Sequence, residues 1–138
     1  MKNAAYRGIF YRKYGKDMKR IEDLDVYKYS YDFILIIHKV TESFPCDEKF
    51  GLVSQMRRAA VSICSNMSEG GARITNGEQK QFLGIARGSA AELRLQITLS
   101  KDLGFIDEKI SGILIEKIDT IHKMLTGLIN TVGQKNGG

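Results

Sequence analysis

The stretch SQMRRAAVSICSNMSEGGAR, residues 54–73, decides how the rest of the chain is read. Met56, Ala60, Ile63, Cys64 and Met67 recur at three- and four-residue intervals, and Val53 extends the series backwards. That spacing lines one face of an α-helix. The opposite face carries Gln55, Arg58, Ser62, Ser65, Asn66 and Glu69, and Gly70-Gly71 follow as a stop signal. A helix from about Asp47 to Glu69 is expected, apolar on one side and polar on the other.

Working outward, the same period appears three more times. Before it, Val26, Phe33, Ile37, Val40 and Phe44, with Ser30 as a small member, predict a helix from Leu24 to Ser43 that Pro45 ends. After it, Thr75 with Glu78, or Asn76 with Gln79, offers a capping pair for a helix running to Leu103, with Gly104 as terminator. Phe82, Ala86, Ser89, Leu93 and Ile97 form its core stripe. Gly84, Gly88, Ala91, Leu95 and Leu99 form a second stripe, whose small residues admit a close neighbouring backbone. One surface helix needs one apolar stripe, so the second suggests that this helix is also covered from its other side. Asp107 caps the last helix, which reaches about Val132 with Ile110, Ile113, Leu114, Ile118, Ile121, Leu125 and Leu128 facing inward. Short connections make successive helices antiparallel neighbours, so the expected fold is all-α, an up-down-up-down four-helix bundle over residues 23–132 with a frayed tail at 133–138.

The totals agree with this. The chain has 138 residues, 43% of them hydrophobic, with no Trp and a single proline, which favours long uninterrupted helices in one domain. No apolar run reaches the roughly 18 residues of a membrane span, and the expected location is the cytoplasm. The net charge of +5 is unevenly placed. Residues 1–22 hold seven basic and two acidic residues, which accounts for all of it, and residues 23–138 are neutral. This basic arm interleaves Tyr6, Phe10, Tyr11 and Tyr14 with cations that include Arg12, Lys13 and Lys16, a pattern suited to phosphates and stacked bases. On composition it reads first as a flexible tail. Met18 stands directly before the first patterned segment, so residues 1–17 read as an upstream extension.

Catalytic chemistry finds few footholds. Cys46 and Cys64 lack metal-ligand spacing, and neither His38 nor His122 has a ligand partner three or four residues away. The Glu-x-x-His repeat of di-iron bundles is missing, and SEGGAR follows a helix and lacks the Lys of a phosphate loop. No enzyme, metal or cofactor is expected. The polar face of the second helix keeps two readings. One is a solvated face with a Glu69–Arg73 pair. The other is a polar seam of Gln55, Arg58, Ser62, Asn66 and Glu69 that orients the arginine and joins helices or subunits.

Three runs, in order and at fixed separation, carry a resemblance. They are Gln55, Arg57, Arg58, Ala59, Ala60, Ser62 and Ile63; then Asn66, Glu69 and Gly70; then Ala86, Arg87, Gly88, Ser89, Glu92 and Leu93. Together they resemble the four-helix-bundle proteins encoded within intervening sequences of bacterial 23S rRNA genes, a family similar to the accessory variability determinants of diversity-generating retroelements. The resemblance spans about residues 22–132, and Asp23-Leu24 with Tyr27 matches the family's start. It implies a ring-like homo-oligomer, a pentamer, and in the retroelement relatives a basic assembly that binds nucleic acid and a reverse transcriptase. The neutral body here departs from a strongly basic module. Ring symmetry would still repeat Arg57, Arg58, Arg73, Arg87 and Arg94 on one face. The expected function is therefore a non-enzymatic, homo-oligomeric accessory protein associated with RNA or DNA. The alternative is a protein-binding scaffold without nucleic-acid affinity.

Overall fold

The computed structural model describes residues 20–134. Four helices fill it: α1 (Asp25–Thr41), α2 (Leu52–Gly71), α3 (Asn76–Asp102) and α4 (Glu108–Thr131). Short 3-10 turns at Ile21–Asp23 and Cys46–Glu48 precede α1 and α2, and there is no strand among the described residues. Successive helices pack on one another, α4 closes back on α1, and the diagonal pairs do not approach. The result is the up-down-up-down bundle that the periodicity and short connections predict.

The helix ends are set by local chemistry. Thr75 caps α3 by accepting from the Glu78 amide at 3.1 Å, and Asp107 caps α4 by accepting from the Ile110 amide at 2.8 Å. At the end of α3, Gly104 adopts a φ of +81°. Its amide reaches Lys101 O and the Phe105 amide reaches Ser100 O, each at 2.9 Å, which closes the helix and turns the chain toward α4. Asp47 does not start α2. The chain from Cys46 to Gly51 forms the 3-10 turn and a bend, and α2 begins at Leu52.

Gly70 and Gly71 do not stop α2 either. They complete it, are buried, and have ordinary negative φ. Gly70 is there for space. A Cβ on it would lie 3.3 Å from the Gln79 carbonyl oxygen and 3.3 Å from the Phe82 Cβ, so glycine lets the end of α2 meet the start of α3 backbone to backbone.

The core runs the length of the bundle. Phe33 and Ile37 from α1 meet Met56, Ile63 and Met67 from α2, Leu83, Leu93 and Ile97 from α3, and Leu114, Ile118, Ile121 and Leu125 from α4. Each such side chain contributes roughly 1.5–3 kcal/mol through burial. On α3 the expected stripe is buried at Ala86, Ser89, Leu93 and Ile97, while Leu83 takes the place of the half-buried Phe82. At one end the α1–α2 and α3–α4 connections meet through Phe44 and Phe105, whose ring centres lie 5.3 Å apart. At the other end Ile21 is fully buried beside the first turn of α1, although it belongs to the segment read as the basic arm. Gly133, with φ +82°, abuts Asn76 there. Arg12, Lys13 and Lys16 lie outside the described residues, as does the tail beyond residue 134.

Replacing Gly70 by Val forces side-chain atoms against the Gln79 carbonyl and Phe82. Chemical denaturation of Gly70→Val should show a loss of about 2 kcal/mol, within the usual range for overpacking. An unchanged midpoint would mean that α2 and α3 separate there at no cost.

Candidate functional site

The two adjacent arginines of α2 face different surroundings because consecutive helical positions lie about 100° apart. Arg57 turns toward α1. Its Nε donates to Thr41 Oγ1 at 3.0 Å and its Nη2 to His38 O at 3.3 Å. Thr41 is buried, and its hydroxyl donates to Ile37 O at 2.7 Å, so it is free to accept from the arginine. Arg58 points outward and has no hydrogen bond or ion pair among the described residues.

Of the residues read as a polar seam, the structure joins Ser62 and Asn66 to α3. Asn66 Nδ2 donates to Ser62 O and Ser62 Oγ, both at 2.9 Å, and Ser62 Oγ lies 2.9 Å from Ser89 Oγ. Glu69 instead pairs with Arg73 at 3.1 Å, and the Arg73 guanidinium lies 4.5 Å from the centre of the Phe82 ring. Gln55 and Arg58 are exposed and take no part in this network. The cluster therefore splits in two. Ser62, Asn66 and Ser89 form an interhelical knot, and Glu69–Arg73–Phe82 braces the α2–α3 turn.

The remaining arginines of the body face α4. Arg87 donates to Thr126 Oγ1 at 3.4 Å. Arg94 donates to Asp119 at 2.8 Å, and this hydrogen bond and charge raise the guanidinium's already high pKa. The arginines named from sequence thus do not converge on one face of the single chain. Arg57, Arg73, Arg87 and Arg94 each have a partner within it.

The second stripe of α3 lies opposite its buried stripe. Gly88, Ala91, Leu95 and Leu99 are exposed and Gly84 is half-buried, with Leu95 at 68% exposure. A Cβ on Gly84 or Gly88 would meet nothing within 4 Å. Ile110 and Ile113 of α4, expected to face inward, are exposed as well.

Sequence reasoning missed three features. His38, set aside for want of a ligand partner, lines a groove between α1 and α2 with Arg57, Arg58, Val61, Ser62 and Ser65. Only the pairing of two helices puts these side chains together. Thr41 as the acceptor for Arg57 has no signature at a separation of sixteen residues. Phe50, placed by sequence within a helix, stands 89% exposed on the connection before α2. The pattern did mark Cys64 as an apolar-face residue, and burial pushes its thiol up to about 12, which keeps it protonated. Among the described residues no group of three or more His, Cys, Asp and Glu could hold a metal ion, and no helix is long and apolar enough to cross a membrane.

These features describe an all-α bundle with an interhelical polar knot, an open α1–α2 groove and an uncovered apolar helix face. Residues 22–127 match the 23S rRNA-intervening sequence protein family, and the chain belongs to that family. The fold is similar to a crystal structure of a protein of unknown function from the S23 ribosomal protein family of Bacteroides thetaiotaomicron. The two are 21% identical with a TM-score of 0.68, over 75% of this chain and 97% of that one. The comparison with curated proteins gave no match.

The two arginines should behave differently. Arg57→Ala removes two hydrogen bonds from a charged donor and should lower stability by about 1–2 kcal/mol. Arg58→Ala should stay within about 0.5 kcal/mol of the parent. Equal losses in urea titrations of the two variants would contradict this division.

Proposed function

We propose that this protein acts by binding rather than catalysis, as a homo-oligomeric accessory protein that associates with nucleic acid. The observation that carries the assembly half is the outer face of α3. Gly84, Gly88 and Ala91 run in line with Leu95 and Leu99, an apolar strip on the side of α3 that the described helices leave uncovered. A second copy of the chain is the occupant that such a strip fits, because small residues let two helix backbones approach closely. A pentamer is the state that the family resemblance leads one to expect. The nucleic-acid half is supported by membership of a family named for an intervening sequence of 23S rRNA, by the unpaired Arg58 and by the charge surplus of residues 1–22. Symmetric repetition would place one Arg58 per copy around the assembly.

Light scattering at micromolar concentration should give a mass several times that of the 15.5 kDa chain. Gly88→Leu should reduce it to monomer with little change in thermal midpoint, since no described residue lies within 4 Å of a Cβ at that position. A monomeric parent overturns the assembly, and a variant of unchanged mass moves the interface elsewhere.

The partner is tested by fluorescence anisotropy with structured RNA and duplex DNA across a salt series, on residues 1–138 and 18–138. Each phosphate contact adds about 0.7–0.9 to the slope of log affinity against log salt. Binding by both lengths supports a site on the body, and binding by the longer alone credits the arm. Binding by neither leaves the protein-binding scaffold as the better account.

A further inference from the structure

Among the described residues, grooves on the surface of the bundle differ in charge. The groove between α3 and α4 contains Arg94, but Asp119 already neutralises it at 2.8 Å. The groove under the α1–α2 connection sets Glu42 against Lys49 and Arg57, so a carboxylate shares its wall with the cations. The groove along α1 and α2 has a volume of about 380 Å³ and is lined by His38, Arg57, Arg58, Val61, Ser62 and Ser65, with two guanidinium groups and no carboxylate. On a body whose net charge is zero, this recess is locally positive.

Resting on the nucleic-acid reading above, we propose that this groove holds one nucleotide of an unpaired strand, with its phosphate on Arg57 and Arg58 and its base against Val61 and the His38 ring. Arg57 is the fixed half of the phosphate clamp. Thr41 Oγ1 and His38 O take two of the five N–H groups of its guanidinium and set its plane, which leaves three to donate to an incoming oxygen. Arg58 is the adjustable half, exposed and without a partner among the described residues. Fixing one donor in advance lowers the ordering cost of binding an anion.

Val61 makes the recess more than an anion site. It is 45% exposed, three residues after Arg58 and four after Arg57, so it shares their stretch of helix surface. Beside it stands the exposed His38 ring. Imidazole rings and arginine planes are common stacking platforms for unpaired bases. In a duplex both faces of a base are covered by its neighbours, and only an unpaired base offers a face to Val61. The groove's hydroxyls are already engaged. Ser65 Oγ donates to Ser62 O, and Ser62 Oγ is bonded to Asn66 and lies against Ser89. Few groups remain to read base edges, so the site binds an unpaired strand with little sequence preference.

The test uses the full chain with fluorescein-labelled ten-residue oligouridylate, a ten-base-pair RNA duplex and inorganic polyphosphate as competitor. Circular dichroism and light scattering confirm that each variant keeps its fold and mass. Arg58→Ala should weaken oligouridylate binding about tenfold and lower the salt slope by about 0.7. Val61→Ser removes no charge and should weaken oligouridylate binding severalfold while leaving polyphosphate competition unchanged. Arg58→Lys, which keeps the charge, should retain most of the salt slope. If the parent binds oligouridylate and neither Arg58→Ala nor Val61→Ser changes affinity more than twofold, the groove is the wrong site and the nucleic-acid reading stands. Should Val61→Ser have no effect while Arg58→Ala weakens oligouridylate, duplex and polyphosphate alike, the recess binds phosphate alone and the base contact is overturned. A parent that binds neither RNA overturns the nucleic-acid reading and this site with it.

Discussion

The bundle depends on how closely α2 and α3 approach at their shared turn. A methyl group on the Gly70 Cα would sit only 3.3 Å from the Gln79 carbonyl oxygen, tighter than ordinary contact. That contact brings Ser62 within hydrogen-bond reach of Ser89 two turns away, and places Phe82 under the Arg73 guanidinium. With the pair locked on this axis, α1 and α4 dock on its flanks. Arg57 ties α1 to one side, and Arg87 and Arg94 tie α4 to the other. A wider spacing would pull apart the Ser62–Ser89 contact and lift Arg73 off the Phe82 ring, because a hydrogen bond has little tolerance in distance.

The helices were legible because each repeats its apolar residues at a single period with clear caps. Thr75 and Asp107 perform the capping that their spacing announces. The misread elements involve residues whose meaning depends on a partner helix. Gly-Gly at a helix end is ordinarily a stop, but here the facing backbone of α3 needs the space, so the pair stays helical. The start of α2 was misplaced because Asp47 resembles a cap while Phe50-Gly51 bends the chain. Leu83 takes the buried place expected of Phe82, since Phe82 sits toward α2 and Arg73.

The candidate sites were legible only as residue types. Sequence identified the arginines of the body, but whether a guanidinium is spent inside the chain or open to a partner depends on which helix faces it. Arg94 and Arg58 look alike in one dimension, yet one meets Asp119 across the α3–α4 seam and the other meets solvent. The small-residue strip on α3 was readable because it has its own four-residue period, and no described helix lies against its glycines.

The antiparallel course of four helices brings the first described residues and Gly133 to the same end as the α2–α3 turn, while Phe44 and Phe105 mark the opposite end. The whole surplus charge belongs to the segment that joins the bundle at the former end. Counted along the chain, residues 23–138 are neutral and residues 1–22 carry a net charge of +5. An asymmetry of that kind draws the start of the chain toward a polyanion ahead of the body.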